Sequence, residues 1–148
     1  MSYHTWTTYG IGFCVDDIET TPEKLLKLAA MKPHVIEYVR QYLNDIFGDN
    51  GYKDEDLIMD DFDDLEGDYC ERSVAYVLHE VIDEISVVFA DDYNGTPYIL
   101  YCPRYPWNMS AHEKDLEYKD IVNIFTKYIK ILTDQKIEID FQAVENGG

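Results

Sequence analysis

Bases are scarce in this chain. Lysine and arginine number twelve of 148 residues, against thirty aspartates and glutamates, for a formal net charge of −18 and a pI near 4.3. That balance argues against direct binding to nucleic acid or to an anionic membrane, both of which require Lys and Arg. It favours basic partners, such as a nucleic-acid-binding groove on another protein. Cysteines are few as well. Cys14, Cys70 and Cys102 are odd in number and far apart, with no Cys-x-x-Cys pair, which predicts free thiols in a reducing cytoplasm. No apolar run approaches the roughly 20 residues of a membrane-spanning helix. The opening MSYHTWTTYG lacks the basic start and apolar centre of a signal peptide, so a cytoplasmic location is expected. A glycine-rich phosphate loop is also missing, because Gly10-x-Gly12 is too short to form one.

What the chain does hold is enough apolar material for a core. Apolar residues make up 46% and aromatics 14%, and a chain of this length buries about 68–70% of its unfolded surface. One domain spanning residues 1–148 is expected, with no repeats and no Gly/Ser linker. Residues 3–15 are rich in Tyr, Trp, Thr, Ile and Phe and predict a first strand. Gly10 and Gly12 mark a bulge or a close backbone approach within it. Thr21-Pro22 is a helix start, a capping hydroxyl followed by proline at the first helical position. Pro33 opens a second helix, to about Phe47, with the stripe Val35/Ile36, Val39, Tyr42/Leu43, Ile46/Phe47 and a terminal Gly48. A helix over about 70–84 follows. Residues 86–90 and 97–102 predict a hairpin around the Asn94-Gly95 turn. Ser110 with Glu113 fits a capping box ahead of a last helix over 116–132. Ile137, Ile139, Phe141 and Ala143 alternate with Glu138, Asp140 and Gln142 and predict a closing edge strand, leaving 145–148 as a loose tail. The order β-α-α-(α)-α-β-β-α-β, the bracketed helix being the acidic segment below, predicts an α+β fold. It would be a small, mostly antiparallel sheet of about four strands with helices packed on one face.

The acidity is concentrated. Residues 49–71, DNGYKDEDLIMDDFDDLEGDYCE, hold eleven acids and one base, Lys53, a net −10 that leaves −8 for the other 125 residues. Ile58, Phe62 and Leu65 recur at i, i+4, i+7, which predicts an amphipathic helical insertion docked on the core. Asp54 would cap its start. On that helix Asp56, Asp60 and Asp64 share one side, with Asp63 beside them and Cβ atoms about 5–6 Å apart. Like charges at i, i+4 cost roughly 0.2–0.5 kcal/mol per pair, so burial of the stripe has to offset them.

Residue types that carry chemistry are present without a decisive pattern. His79-Glu80-Val-Ile-Asp83 resembles a zinc-binding helix motif with Asp in place of the second His. The plainer reading is an exposed polar face. Every register across 49–71 fails the calcium-loop pattern, usually at the required glycine. No metal and no cofactor is therefore expected. No spacing selects a nucleophile–base pair from the cysteines and histidines. If the loop over 103–107 is exposed, its aromatics would serve as a protein-binding anchor.

The two ends of the chain, YHTWTTYG and IDFQAVENGG, with Arg104-Tyr-Pro-Trp107 between them, resemble small uncharacterised acidic proteins of Gram-positive bacteria and their phages. In size and charge, though by no shared motif, the chain is also similar to phage anti-CRISPR proteins. The spacing of the carboxylates, set beside that of duplex phosphates, points to a non-enzymatic inhibitor that mimics nucleic acid and engages a basic groove; the likeness in kind suggests a CRISPR nuclease as the partner and assigns no residue roles. The expected partner-binding residues are Asp54, Asp56, Asp60, Asp61, Asp63, Asp64, Glu66 and Asp68, with Tyr105 and Trp107 as aromatic anchors. Three alternatives stand beside this reading. One is a metal-dependent hydrolase around His79, Glu80 and Asp83. Another is a plain structural or oligomerisation domain. The third is an acidic face that serves solubility alone.

Overall fold

The computed structural model describes residues 4–48, 51–67, 70–102 and 111–147. The fold is α+β. Four strands, β1 (Thr5–Cys14), β2 (Val87–Asp91), β3 (Pro97–Tyr101) and β4 (Asp140–Gly147), form one antiparallel sheet in the order β2-β3-β1-β4. The helices are α1 (Pro22–Ala29), α2 (Pro33–Phe47), α3 (Ser73–Val81), the single turn α4 (Ala111–Lys114) and α5 (Tyr118–Leu132). Among the described residues no helix is long and apolar enough to cross a membrane.

Local signals explain the starts of α1 and α5. Thr21 accepts a hydrogen bond from the Lys24 amide at 3.4 Å and Pro22 begins α1. Asp120 closes the start of α5 by accepting from the Glu117 amide at 2.9 Å. The third helix is shorter than the expected 70–84. The chain leaves it at Ile82, so that Ile82 and Ile85 are both buried while Asp83 and Glu84 reach lysines on other elements. Packing outweighs helix continuation there.

One face of the sheet carries the main core. Phe13, Ile99 and Tyr101 from the strands meet Leu25 and Leu28 of α1, Val35, Val39 and Leu43 of α2, Val77, Leu78 and Val81 of α3, and Phe125, Ile129 and Leu132 of α5. Helix α1 lies centrally and packs against α2, α3 and α5. Among the described residues, the other face carries a small cluster of Ala90, Leu100 and Val144, with Tyr98 and Cys102 against it. The sheet curls over this cluster. Strands β2 and β4 are its outer strands, yet Asn146 Nδ2 donates to the Asp91 carbonyl at 2.8 Å and to Asp91 Oδ1 at 3.1 Å. Gly10 and Gly12 permit the curl: a Cβ on Gly12 would stand 1.9 Å from the Ile99 carbonyl oxygen, and one on Gly10 2.6 Å from that of Tyr101.

Two further expectations need correcting. Residues 145–147 are not a loose tail, because Glu145, Asn146 and Gly147 pair with Thr7, Trp6 and Thr5 along β1; Gly148 lies outside the described residues. The long first strand supplies a ladder that the C-terminal segment completes. Nor do Ile46 and Phe47 extend the buried stripe of α2. They are exposed, because α2 runs past the core after Leu43.

A polar cluster ties α5 to the turn after α3. The buried Tyr128 hydroxyl and the Lys127 ammonium both donate to Glu84 Oε1, and Lys127 also lies 4.7 Å over the Tyr128 ring. Burial raises the Glu84 carboxyl pKa, but the hydrogen bonds from Lys127 and Tyr128 outweigh it and leave it below the ordinary value. A carboxyl depressed on folding contributes stability above its unfolded pKa and loses it as pH falls through the folded one. We expect Glu84→Gln to lower stability by about 1 kcal/mol at pH 7, the carboxylate being partly in water. Thermal melts of both proteins should converge as pH drops below the usual glutamate range. A gap that widens on acidification would contradict this.

Candidate functional site

The acidic stretch is docked, but not as a helix. Its described part, 51–67, consists of turns, with short 3-10 segments at Asp54–Asp56 and Met59–Phe62. Backbone bonds span three residues: Asp56 to Lys53 at 2.9 Å, Asp61 to Ile58 at 3.0 Å, Asp63 to Asp60 at 3.2 Å and Leu65 to Phe62 at 3.0 Å. The Asp61 carboxylate accepts from the Ile58 amide at 2.8 Å and so closes a turn rather than extending a helix. Aspartate competes in this way for local backbone donors, and stacked like charges weaken the helical alternative. The expected single-helix insertion, and with it the row Asp56, Asp60, Asp64 on one helix side, is therefore corrected. So is the stripe. Leu57, Phe62 and Leu65 are buried, at i, i+5 and i+8, while Ile58 is 58% exposed.

Burying those three side chains contributes about 1.5–3 kcal/mol each, which outweighs the local repulsion. Two tyrosines of α2 hold the segment from outside. The Tyr38 hydroxyl donates to the Glu66 carbonyl at 3.0 Å. Burial and the neighbouring Asp64 and Asp63 carboxylates push the Tyr42 phenol above its ordinary pKa.

This anchoring leaves the carboxylates outside. Asp54, Glu55, Asp56, Asp60, Asp63, Asp64 and Glu66 are exposed and Asp61 is half-buried. No ion pair among the described residues includes any of them; the pairs that form are Lys32–Asp83, Lys119–Glu117, Lys127–Glu84 and contacts of His34 and His79. Asp68, Tyr105 and Trp107 lie outside the described residues. Exposed apolar side chains border the acids. A cleft of about 270 Å³ brings Phe47 and Tyr52 against Lys53, Asp56 and Leu57, with Ile46 and Ile58 exposed next to it in sequence. Sequence reasoning missed this rim by assigning Ile46, Phe47 and Ile58 to the core. Their periodicity was helical, and no local signal marks where α2 outruns its packing partners.

The residues of the hydrolase alternative do not assemble as expected. His79 Nδ1 lies 3.2 Å from Glu71 Oε1 and 3.7 Å from Glu80 Oε1. Asp83 is beyond the end of α3 and pairs with Lys32, so it does not share a helix face with His79. Among the described residues no three His, Cys, Asp or Glu side chains are grouped to hold a metal ion. Cys14 and Cys102 are half-buried free thiols whose pKa values burial raises, and Cys70 is an exposed free thiol. A raised thiol pKa disfavours the thiolate a nucleophile needs.

No family model, no curated protein and no solved structure matches this chain.

Proposed function

We propose that this protein is a non-enzymatic, acidic binding protein whose 54–66 segment engages the basic, nucleic-acid-binding surface of a larger effector. The observation that carries the reading is the fixed segment of carboxylates, anchored by Leu57, Phe62 and Leu65, with no described base paired to them. A flexible acidic tail would lose entropy on binding, whereas a docked one is already ordered. Its exposed carboxylates stand in for phosphates in a Lys/Arg groove, and the Phe47–Ile58 rim adds apolar contact at the edge. Such contacts speed association and weaken with salt. A CRISPR nuclease is the partner suggested by the likeness in size and charge to anti-CRISPR proteins.

The test replaces Asp54, Asp56, Asp60, Asp63 and Asp64 together with Asn. Asp61 is spared because its carboxylate closes a turn. The variant should fold at least as stably as the parent and lose at least about a hundredfold in effector affinity, roughly 2.7 kcal/mol. Capture of a CRISPR nuclease at low salt, with competition by DNA or RNA, reads this out. Unchanged binding by the variant, or binding indifferent to salt and to competing nucleic acid, would sink the proposal.

A further inference from the structure

Among the described residues, β2 pairs with β3 on one side and has no strand on the other, which makes that edge a second surface with its own chemistry. In an antiparallel ladder, hydrogen-bonded and non-hydrogen-bonded pairs alternate. The Asp92 amide donates to the Thr96 carbonyl at 3.1 Å, which fixes the phase at the turn. Ala90 and Val88 therefore bond to Tyr98 and Leu100, while Val87, Phe89 and Asp91 turn their N–H and C=O groups away from β3. Pro97, which has no N–H to offer, stands opposite Asp91 as this phase requires. The outward Asp91 carbonyl is taken by Asn146. Those of Val87 and Phe89 meet no hydrogen-bond partner among the described residues.

Beside this edge runs a cleft of about 460 Å³ lined by His79, Val87, Val88, Phe89 and Asp91. His79 Nδ1 lies 3.2 Å from the carboxylate of Glu71, a residue only 1% exposed. Asp91 stands in the cleft wall and Glu80 lies 3.7 Å from His79, and no described lysine or arginine lines the cleft.

We infer that the β2 edge and α3 form a docking groove for an extended, basic segment of a partner protein, which adds a fifth strand to the sheet. The segment pairs its backbone with Val87 and Phe89, and a lysine or arginine side chain meets the Asp91 carboxylate in the cleft wall. Such strand addition takes affinity from main-chain bonds and selectivity from alternate side chains. A second copy of this chain, itself at −18, is a poor occupant on charge grounds. The choice of a basic occupant is shared with the proposed function, but the groove does not involve residues 54–66.

The test titrates isotope-labelled protein with a short peptide alternating lysine and valine, followed by amide resonances and hydrogen exchange. The lysine peptide should shift the Val87–Asp91 resonances and slow exchange at the Val87 and Phe89 amides. The same peptide N-methylated at alternate residues should bind at least about tenfold more weakly, as should Val87→Pro, which removes one outward donor where an edge strand tolerates proline. Because the methylated peptide leaves the protein untouched, a misfolded Val87→Pro would not blur the result. The inference falls if these amides do not move, if a glutamate–valine peptide or the methylated peptide binds equally well, or if the protein pairs with itself through β2. The five-fold Asn variant should keep the β2 response while losing the effector. Loss of the β2 response with effector binding intact would overturn this inference alone.

Discussion

Replacing Gly12 with alanine is expected to destabilise the fold by about 3 kcal/mol, the upper end for a forced fit in a packed interior, and to lower the melting temperature by roughly 6–12 °C. Gly12 pairs with Leu100 across β1 and β3. A Cβ there would sit 1.9 Å from the Ile99 carbonyl oxygen and 2.9 Å from the Leu100 Cα. These are main-chain atoms of a central strand, so no side chain can swing aside to make room. Strand β1 must move off β3 or straighten. Either change pulls β4 from β2, exposes the Ala90–Leu100–Val144 cluster and frees the Asp91 carbonyl from Asn146. Gly10→Ala should cost less, since its Cβ would lie 2.6 Å from a carbonyl oxygen and 3.1 Å from the Leu100 Cβ. Urea denaturation of the two variants provides the check. Equal costs, or a Gly12 variant within about 0.5 kcal/mol of the parent, would show that the curl does not depend on this contact.

The sheet's curvature was half legible in the sequence. Two glycines inside a strand predict a close backbone approach, but the partner in that approach, β3, lies almost ninety positions away. Signals confined to a few residues survived folding: Thr21-Pro22 opens α1, Pro33 opens α2 and Asn94-Gly95 sits in the β2–β3 turn. Signals that depend on distant partners did not. The alternation from Ile137 suggested a strand ending near Ala143, whereas pairing with Thr5–Tyr9 carries β4 to Gly147. Ile137 and Ile139, just ahead of β4, pack against the main core as their period suggests, whereas Phe141 is exposed and the buried residue of β4 is Val144, in the small cluster on the other face. The His79/Asp83 spacing assumed a helix that continues, and the pull of Lys32 and of two buried isoleucines ends it first. For the candidate site, composition located the acidic surface and its anchoring, while the geometry of the turns came from capping competition that apolar periodicity ignores.

That competition gives the second large effect its form. Phe62→Ala is expected to cost about 3–5 kcal/mol, the range for removing a buried phenylalanine, while Ile58→Ala should stay within about 0.5 kcal/mol. A helical stripe of Ile58, Phe62 and Leu65 would make the two losses comparable. In the turn geometry, Phe62 is fully buried and Ile58 is 58% exposed, its backbone amide rather than its side chain being engaged, through Asp61. Equilibrium denaturation of the two variants separates these cases directly. The same pair also separates charge from order in partner binding. Phe62→Ala keeps every carboxylate but releases the segment from its anchor, so effector affinity should fall by about tenfold or more as the ordering cost returns. Ile58→Ala keeps both charge and anchor, and any affinity it loses is that of the exposed apolar rim. If Phe62→Ala binds the effector as tightly as the parent, carboxylate number alone governs recognition and the docked geometry contributes nothing to it.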